Sequence, residues 1–188
     1  MAIRKILRYG TESLRQPSKE VHKVSKKITD LVNDLLETMY SANGVGLAAP
    51  QIGVNYRVFV LDVSTNEEKL KPMVFINPKI IKKSGAIISN EGCLSFPEAY
   101  TDVRRYKDVT VKALDSHGRP FVLEANGGTL LTRCIQHEFD HLDGILYIDH
   151  CINRFETDNV LAKYDLPPVE PDKLIDEPEL EAELNNAS

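Results

Sequence analysis

The pentapeptide HEFDH at 137–141 places two histidines four residues apart. In an α-helix this spacing puts both imidazoles on one face, one turn apart, where they can bind the same metal ion while Glu138 projects beside it. The segment TLLTRCIQHEFDHL, followed by Gly144, predicts a helix that begins near residues 128–129 and stops at Gly144. The motif therefore predicts a metal site carried on a helix.

Two histidines leave this site incomplete, because a catalytic metal site normally has three protein ligands and one open position. In the pattern HExxHxxGxxH the third ligand would fall at position 147, which is Tyr147 here. Cys134 precedes His141 by seven residues, which is about 10 Å along the helix axis. Because this distance is too long for all three residues to share one metal ion, we expect Cys134 to form part of a pocket wall. His150 and Cys151 remain candidates, although core or surface roles are favoured for both.

Cys93 is the favoured third ligand. It lies in the segment EGCLSFP at 91–97, where Gly92 frees the backbone and Pro97 ends the segment. A thiolate with two imidazoles suits Fe(II), Zn(II), Co(II) or Ni(II), and the softness of the donors does not choose among these ions.

The rest of the pattern predicts a helix, a series of strands and the metal-binding helix. Apolar residues at three- and four-residue intervals predict an amphipathic helix over 25–42, with Ser25 as N-cap and Gly44 beyond its end. The β-rich runs lie at 56–63, 73–77, 79–81, 86–89, 108–115 and 119–125. The segment SHGR at 116–119 predicts a hairpin turn, so the sheet should be antiparallel in part and the fold class α+β.

Charge divides the chain of 188 residues into a nearly neutral body and an acidic tail. Residues 165–188 contain eight acidic residues, one basic residue and four prolines, whereas residues 1–164 contain 20 acidic and 22 basic residues. Few large apolar residues occur in the tail, which predicts an extended or mobile segment. We therefore expect one catalytic domain over 1–164 and a separate tail over 165–188.

Composition excludes several classes of protein. No apolar run approaches the roughly 18 residues of a membrane span, and MAIRKILRYG lacks the apolar core of a secretory signal. The net charge of −5, without a dense run of Lys or Arg, argues against DNA or RNA as the main partner. Three cysteines without a CxxC pair do not form a disulfide framework, so we expect a cytoplasmic protein.

Three separated segments resemble the motifs of the peptide deformylases: GVGLAAPQ at 44–51, EGCLS at 91–95 and QHEFDHLDG at 136–144. The resemblance spans essentially residues 1–160. It implies an α+β fold in which mixed, partly antiparallel β-sheets surround a central HExxH helix. It also implies a metal-dependent hydrolase that removes the formyl group from the N-terminal methionine of new polypeptides and releases formate.

The resemblance assigns roles to individual residues. It gives metal binding to Cys93, His137 and His141, acid–base catalysis to Glu138, and oxyanion stabilisation to Gln51 and the Leu94 backbone N–H. It gives substrate binding to Gly44, Val45, Gly46, Leu130 and Cys134. Fe(II) is the implied physiological ion, with Zn(II), Ni(II) or Co(II) in purified protein. The implied partners are N-formylmethionyl nascent peptides, with at most weak, transient ribosome contact.

Arg105 matches an arginine common in the family, and we expect it to pair with Glu91 or Asp140 and hold the Cys93 loop against the helix. Two other hypotheses are compatible with the metal motif alone. A zinc endopeptidase would cleave unformylated peptides internally, and a non-catalytic metal-binding module would bind a metal without turnover.

Overall fold

Two long neighbouring strands, joined by a tight connection, run through the middle of the sheet. The computed structural model describes residues 2–64 and 70–175. Within them the strands are β1 Gly46–Ala48, β2 Val58–Leu61, β3 Met73–Cys93, β4 Phe96–Leu114 and β5 Pro120–Ala125. The helices are α1 Lys26–Ser41, α2 Leu130–Leu142 and α3 Arg154–Ala162, with short 3₁₀ helices at Glu12–Arg15, Ala49–Ile52, Tyr147–His150 and Pro171–Lys173.

The five strands form one sheet in sequence order, and each strand pairs with its neighbour in the antiparallel direction. Among the described residues, the parallel component is an isolated bridge between Lys19 and Tyr56. The predicted hairpin at 116–119 is confirmed, since Leu114 pairs with Pro120 and Gly118 adopts the left-handed conformation at φ 77°. The expected α+β class is confirmed.

Successive side chains of β2 point to opposite faces of the sheet, and each face packs against a helix. Val58 and Val60 join the core cluster that contains the apolar face of α1. Phe59 and Leu61 point the other way and join the cluster that contains Ile135 of α2. Helix α2, which carries the HExxH motif, is thus packed against the sheet on the face opposite α1.

Both predicted helices are confirmed close to their expected ends. The first covers Lys26–Ser41, and Asn43, with φ 53°, takes the left-handed position that follows it. The second begins after Thr129, whose hydroxyl accepts a hydrogen bond from the Thr132 N–H, and Gly144 takes the left-handed position beyond its end at φ 72°.

The strands are longer than predicted. The runs at 73–77, 79–81 and 86–89 belong to one strand, and the first half of β4 was not predicted at all. Its inward-facing positions include Thr101 and Arg105, both buried, so the apolar alternation that marks a strand is interrupted there. Thr101 bonds to the hydroxyl of Thr157 at 2.7 Å, which satisfies it inside the core.

The first part of the predicted tail packs against the domain and is not a mobile extension. Leu166 and Val169 are buried in the same cluster as Tyr9, whose hydroxyl donates to the Pro168 carbonyl oxygen at 3.0 Å. Arg15 pairs with Glu170 at 2.9 Å. The packed chain therefore continues past the boundary expected at 164, while 176–188 lies outside the described residues. No helix of the described residues is both long and apolar enough to cross a bilayer.

Candidate active site

Three predicted ligands meet at one point in the structure. Cys93 ends β3, and His137 and His141 lie on α2, yet their donor atoms are all within 4.8 Å of one another. Cys93 Sγ lies 3.3 Å from His141 Nε2. Among residues 2–64 and 70–175, no other three His, Cys, Asp or Glu side chains converge in this way. The arrangement fits a divalent cation with one thiolate and two imidazole donors.

A buried carboxylate orients the first imidazole. His137 Nδ1 lies 3.2 Å from Glu91 Oε2, so the ring donates through Nδ1 and leaves Nε2 for a cation. Arg105 is almost fully buried and contacts Glu91 at 2.9 Å and Asp140 at 2.5 Å. The expected pairing is therefore confirmed with both carboxylates, and it ties the Cys93 strand to α2.

The two imidazoles differ electrostatically. Burial tends to lower the pKa of His137, but contacts with Cys93 and Glu91 raise that pKa well above its usual value. Burial holds the pKa of His141 well below its usual value. The negative groups around His137 favour a positive charge on or beside its imidazole. A metal cation bound by the ring would satisfy the same preference.

Glu138 lies beside the ligands in a water-poor position. Burial raises the pKa of this carboxyl to about 7, and its Oε2 has no hydrogen-bond partner among the described residues. A Cβ atom at Gly46 would overlap the Glu138 carboxylate, so glycine is needed there for close approach. A carboxyl that titrates near neutral pH can accept and return a proton during one reaction.

Gln51 points its amide nitrogen at the ligand cluster. It lies in the 3₁₀ helix Ala49–Ile52, where its Oε1 accepts the Ala48 N–H at 2.8 Å. That contact fixes the amide orientation, so Nε2 donates toward Cys93 Sγ at 3.4 Å and Ser95 Oγ at 3.2 Å. Ser95 was missed from the sequence, although it closes the EGCLS motif.

A cavity of about 510 Å³ opens beside the cluster. It is lined by all of the predicted substrate-binding residues, Gly44, Val45, Gly46, Leu130 and Cys134, and by Leu94. Tyr100 and Arg133 also line it, in addition to the substrate-binding residues that the resemblance assigned. The signal available in the sequence was their position, since Tyr100 follows the EGCLS motif by a few residues and Arg133 directly precedes Cys134.

Comparison with known proteins identifies the family. The family model described as polypeptide deformylase matches residues 3–157. The chain belongs to the polypeptide deformylase family. It is similar to the peptide deformylase of Pseudoalteromonas translucida, with 49% identity over 150 residues that cover 80% of this chain and 87% of that protein.

Solved deformylases share the fold. A peptide deformylase from Synechococcus elongatus in complex with actinonin has a TM-score of 0.83 at 42% identity, covering 88% of this chain and 92% of that one. One from Legionella pneumophila has a TM-score of 0.79 at 43% identity, covering 87% and 96%. The chain is thus a metal-dependent hydrolase that removes N-terminal formyl groups, and the endopeptidase and non-catalytic hypotheses are not favoured.

The other residues that the sequence analysis considered as a third metal ligand lie outside the ligand cluster of this deformylase. Cys134 is buried in the cavity wall outside the ligand cluster, and burial raises its thiol pKa to about 12. His150 Nε2 lies 3.0 Å from Asp140 Oδ2, and Cys151 is buried in the core. Tyr147, which stands where the pattern HExxHxxGxxH has its third ligand, stacks near His137 with 5.8 Å between ring centres.

Proposed function

We propose that Cys93, His137 and His141 hold one divalent metal ion, which is Fe(II) in the physiological enzyme. Convergence of the three donors, with His137 oriented by Glu91, supports the ligand assignment. The choice of iron follows the family resemblance, and the same donors accommodate Zn(II), Ni(II) or Co(II). When bound there, such a cation would supply Lewis-acid chemistry, lowering the pKa of a water molecule and polarising the formyl carbonyl.

Glu138 is the acid–base group in this proposal. It takes the proton from the attacking water and then delivers it to the methionine nitrogen as the carbon–nitrogen bond of the formamide breaks. Its burial and its pKa of about 7 support both steps, because the group can change protonation state near neutral pH. Formate and a free N-terminal amine are the products.

Gln51 and the backbone N–H of Leu94 stabilise the negative charge that develops on the formyl oxygen. The fixed amide of Gln51 supports this role, since its donor group already points at the ligand cluster before substrate binds. Leu94 follows the proposed ligand Cys93 and lines the same cavity. Donors placed in advance need no reorganisation during the reaction.

The methionine side chain occupies the part of the cavity lined by Val45, Leu130 and Cys134. Two glycines bring the chain backbone close to the substrate. A Cβ atom at Gly44 would lie 2.6 Å from Leu94 Cδ1, and one at Gly46 would overlap Glu138. This bare backbone edge suits main-chain pairing with an extended peptide.

The substrates are formylated nascent peptides, and we place the enzyme in the cytoplasm with at most weak, transient contact to the ribosome. The nearly neutral charge balance over 1–164, with 22 basic and 20 acidic residues, supports weak contact, because binding to ribosomal RNA relies on clustered positive charge. Salt-sensitive pelleting of the protein with ribosomes at high occupancy would contradict this expectation.

The observation that carries the mechanism is the buried Glu138 carboxyl beside the ligand cluster. Formate release from a formyl-Met-Ala peptide by Glu138→Gln should fall about 10²- to 10⁴-fold at unchanged metal content, because the proton relay is lost. Glu124→Gln, an exposed carboxylate on β5, is the matched control and should retain full activity. Undiminished turnover by Glu138→Gln would remove the proposed mechanism.

A further inference from the structure

Arg133 is a cationic residue of the substrate cavity without an ion-pair partner among residues 2–64 and 70–175. Its Nε is buried and makes no hydrogen bond there. Glu98, an exposed carboxylate of the same cavity, makes no ion pair with it. Of the other two carboxylates in the cavity, Glu91 holds Arg105 and Glu138 carries the proposed proton transfer. A buried donor without a partner is costly, so a ligand that brings an acceptor to Arg133 is favoured.

The helical repeat of α2 places Arg133 in the outer part of this cavity. The residues of α2 that line it follow one another at spacings typical of one helix face: Leu130, Arg133, Cys134, His137 and Glu138. Arg133 comes four residues before His137, which is about 6 Å along the helix axis. Leu130 is 42% exposed, whereas His137 is buried, so the cavity opens toward the start of the helix. Arg133 therefore lies between the reacting centre and solvent.

The proposed substrate pose brings one particular peptide side chain to Arg133. In that pose the formyl group lies at the ligand cluster and the methionine side chain lies against Leu130 and Cys134, so the peptide runs outward along this helix face. Successive side chains of an extended peptide point to opposite sides, and the third side chain therefore returns to the side of the first. Two residues of extended chain cover roughly 7 Å. This distance is close to the helical rise of about 6 Å between His137 and Arg133.

We propose that Arg133 is a specificity-determining residue that selects formyl-methionyl peptides with an acidic side chain at the third position. The proposal rests on the proposed function and names its preferred substrates more closely. A guanidinium binds a carboxylate through two parallel N–H donors, and it repels a basic side chain. A carboxylate at the second position points away from Arg133 and gains no such partner, while Glu98 in the same cavity opposes it. The preference should therefore be confined to the third position.

The size of the preference follows from the partial exposure of the contact. Arg133 is half-buried at the open side of the cavity, so water weakens its pairing with a substrate carboxylate. We expect kcat/KM to be roughly 3- to 10-fold higher for a third-position glutamate than for glutamine. The contact is remote from the bond that breaks, so the difference should lie in KM. It should shrink at 1 M salt, because salt screens the pair.

Formate release from matched peptides by the metal-loaded full chain tests the proposal. One pair is formyl-Met-Ala-Glu-Ser and formyl-Met-Ala-Gln-Ser, and the other pair carries Glu or Gln at the second position. All four peptides are amidated at the C-terminus, so the side chain supplies the carboxylate that differs within each pair. The Glu-to-Gln ratio of kcat/KM should be raised for the first pair and close to one or lower for the second.

Variants of Arg133 assign the preference to its guanidinium. Arg133→Met should bring the third-position ratio close to one, Arg133→Lys should retain part of it, and Arg133→Glu should favour formyl-Met-Ala-Lys-Ser amide instead. Lys112→Met is the matched control, because Lys112 is an exposed cation on β4 outside the cavity, and its ratio should equal that of the unaltered chain. Each ratio compares two peptides on one preparation, so a loss of folded or metal-loaded protein cancels.

Three results would overturn the proposal. They are equal kcat/KM for the third-position Glu and Gln peptides, a preference that Arg133→Met leaves intact, and a preference for glutamate at the second position instead of the third. Failure of this inference is distinguishable from failure of the proposed function. Turnover of the Gln peptide without any preference would refute the role of Arg133 alone, whereas absence of formate release from every peptide would refute the deformylase mechanism on which it rests.

Discussion

Arg105→Met is expected to destabilise the fold far more than removal of an exposed arginine. The guanidinium is 2% exposed and makes contacts of 2.9 Å with Glu91 and 2.5 Å with Asp140. Methionine retains much of the side-chain volume but leaves two buried carboxylates without their cation. Breaking a buried ion pair in this way costs about 3–5 kcal/mol, a large part of the typical stability of a domain.

Equilibrium unfolding in urea at neutral pH measures this cost as a lower midpoint with an unchanged slope. Arg119→Met is the matched control, because Arg119 also pairs with a carboxylate, Asp115 at 2.7 Å, but its side chain is 73% exposed. Loss of this exposed pair should leave the urea midpoint nearly unchanged, because water and salt screen both charges. Metal affinity should fall about 10- to 100-fold in Arg105→Met alone, because Glu91 then orients His137 less firmly.

Equal free energies of unfolding for the two variants would refute this reasoning. That result would mean that Glu91 and Asp140 gain other partners or water when the guanidinium is removed. A large loss of stability with unchanged metal affinity would refute only the orienting role of Glu91, and would leave the buried ion network as a purely structural element.

Three further perturbations test separate parts of the structure. Gly46→Ala places a Cβ atom onto the Glu138 carboxylate, so formate release should fall about 10²-fold while metal content stays unchanged; full activity would contradict the close approach. Gln51→Leu removes a preorganised donor and should lower kcat by about 10²- to 10³-fold, and a pure KM effect would oppose the oxyanion role. Leu35→Ala removes a fully buried side chain on the inner face of α1 and should cost about 2–5 kcal/mol in urea unfolding without changing activity per folded molecule; a cost below about 1 kcal/mol would contradict its tight packing.

Sequence reasoning predicted elements whose signals are local. The apolar periodicity of 25–42 and the cap and stop residues around the HExxH helix gave both long helices within a few residues of their ends. Sequence reasoning missed the first half of β4, because polar Thr101 and charged Arg105 occupy buried positions there. The alternation of apolar and polar residues that marks a strand is therefore interrupted. Sequence reasoning also failed for α3, where Phe155 is 75% exposed and the apolar face is short.

The tail shows a different failure. Its composition predicted an extended segment from residue 165, yet Leu166 and Val169 pack beside Tyr9 and Arg15 anchors Glu170. A segment poor in apolar residues can still pack when the domain offers partners for the few it has. Amino-acid composition gives the number of apolar residues in a segment, but it does not show which surface of the domain is available to bury them.

By itself the sequence determined that two imidazoles and Glu138 share one helix surface, because the helical repeat sets the relation between residues four apart. Its motifs also identified the family. Only the tertiary structure decided that Cys93 Sγ lies 3.3 Å from His141, at the point where the β3–β4 register shifts between Gly92 and Cys93. It likewise decided that Arg105 joins Glu91 to Asp140. Such contacts between distant segments depend on strand register and on the packing of α2 against the sheet, which no local pattern specifies.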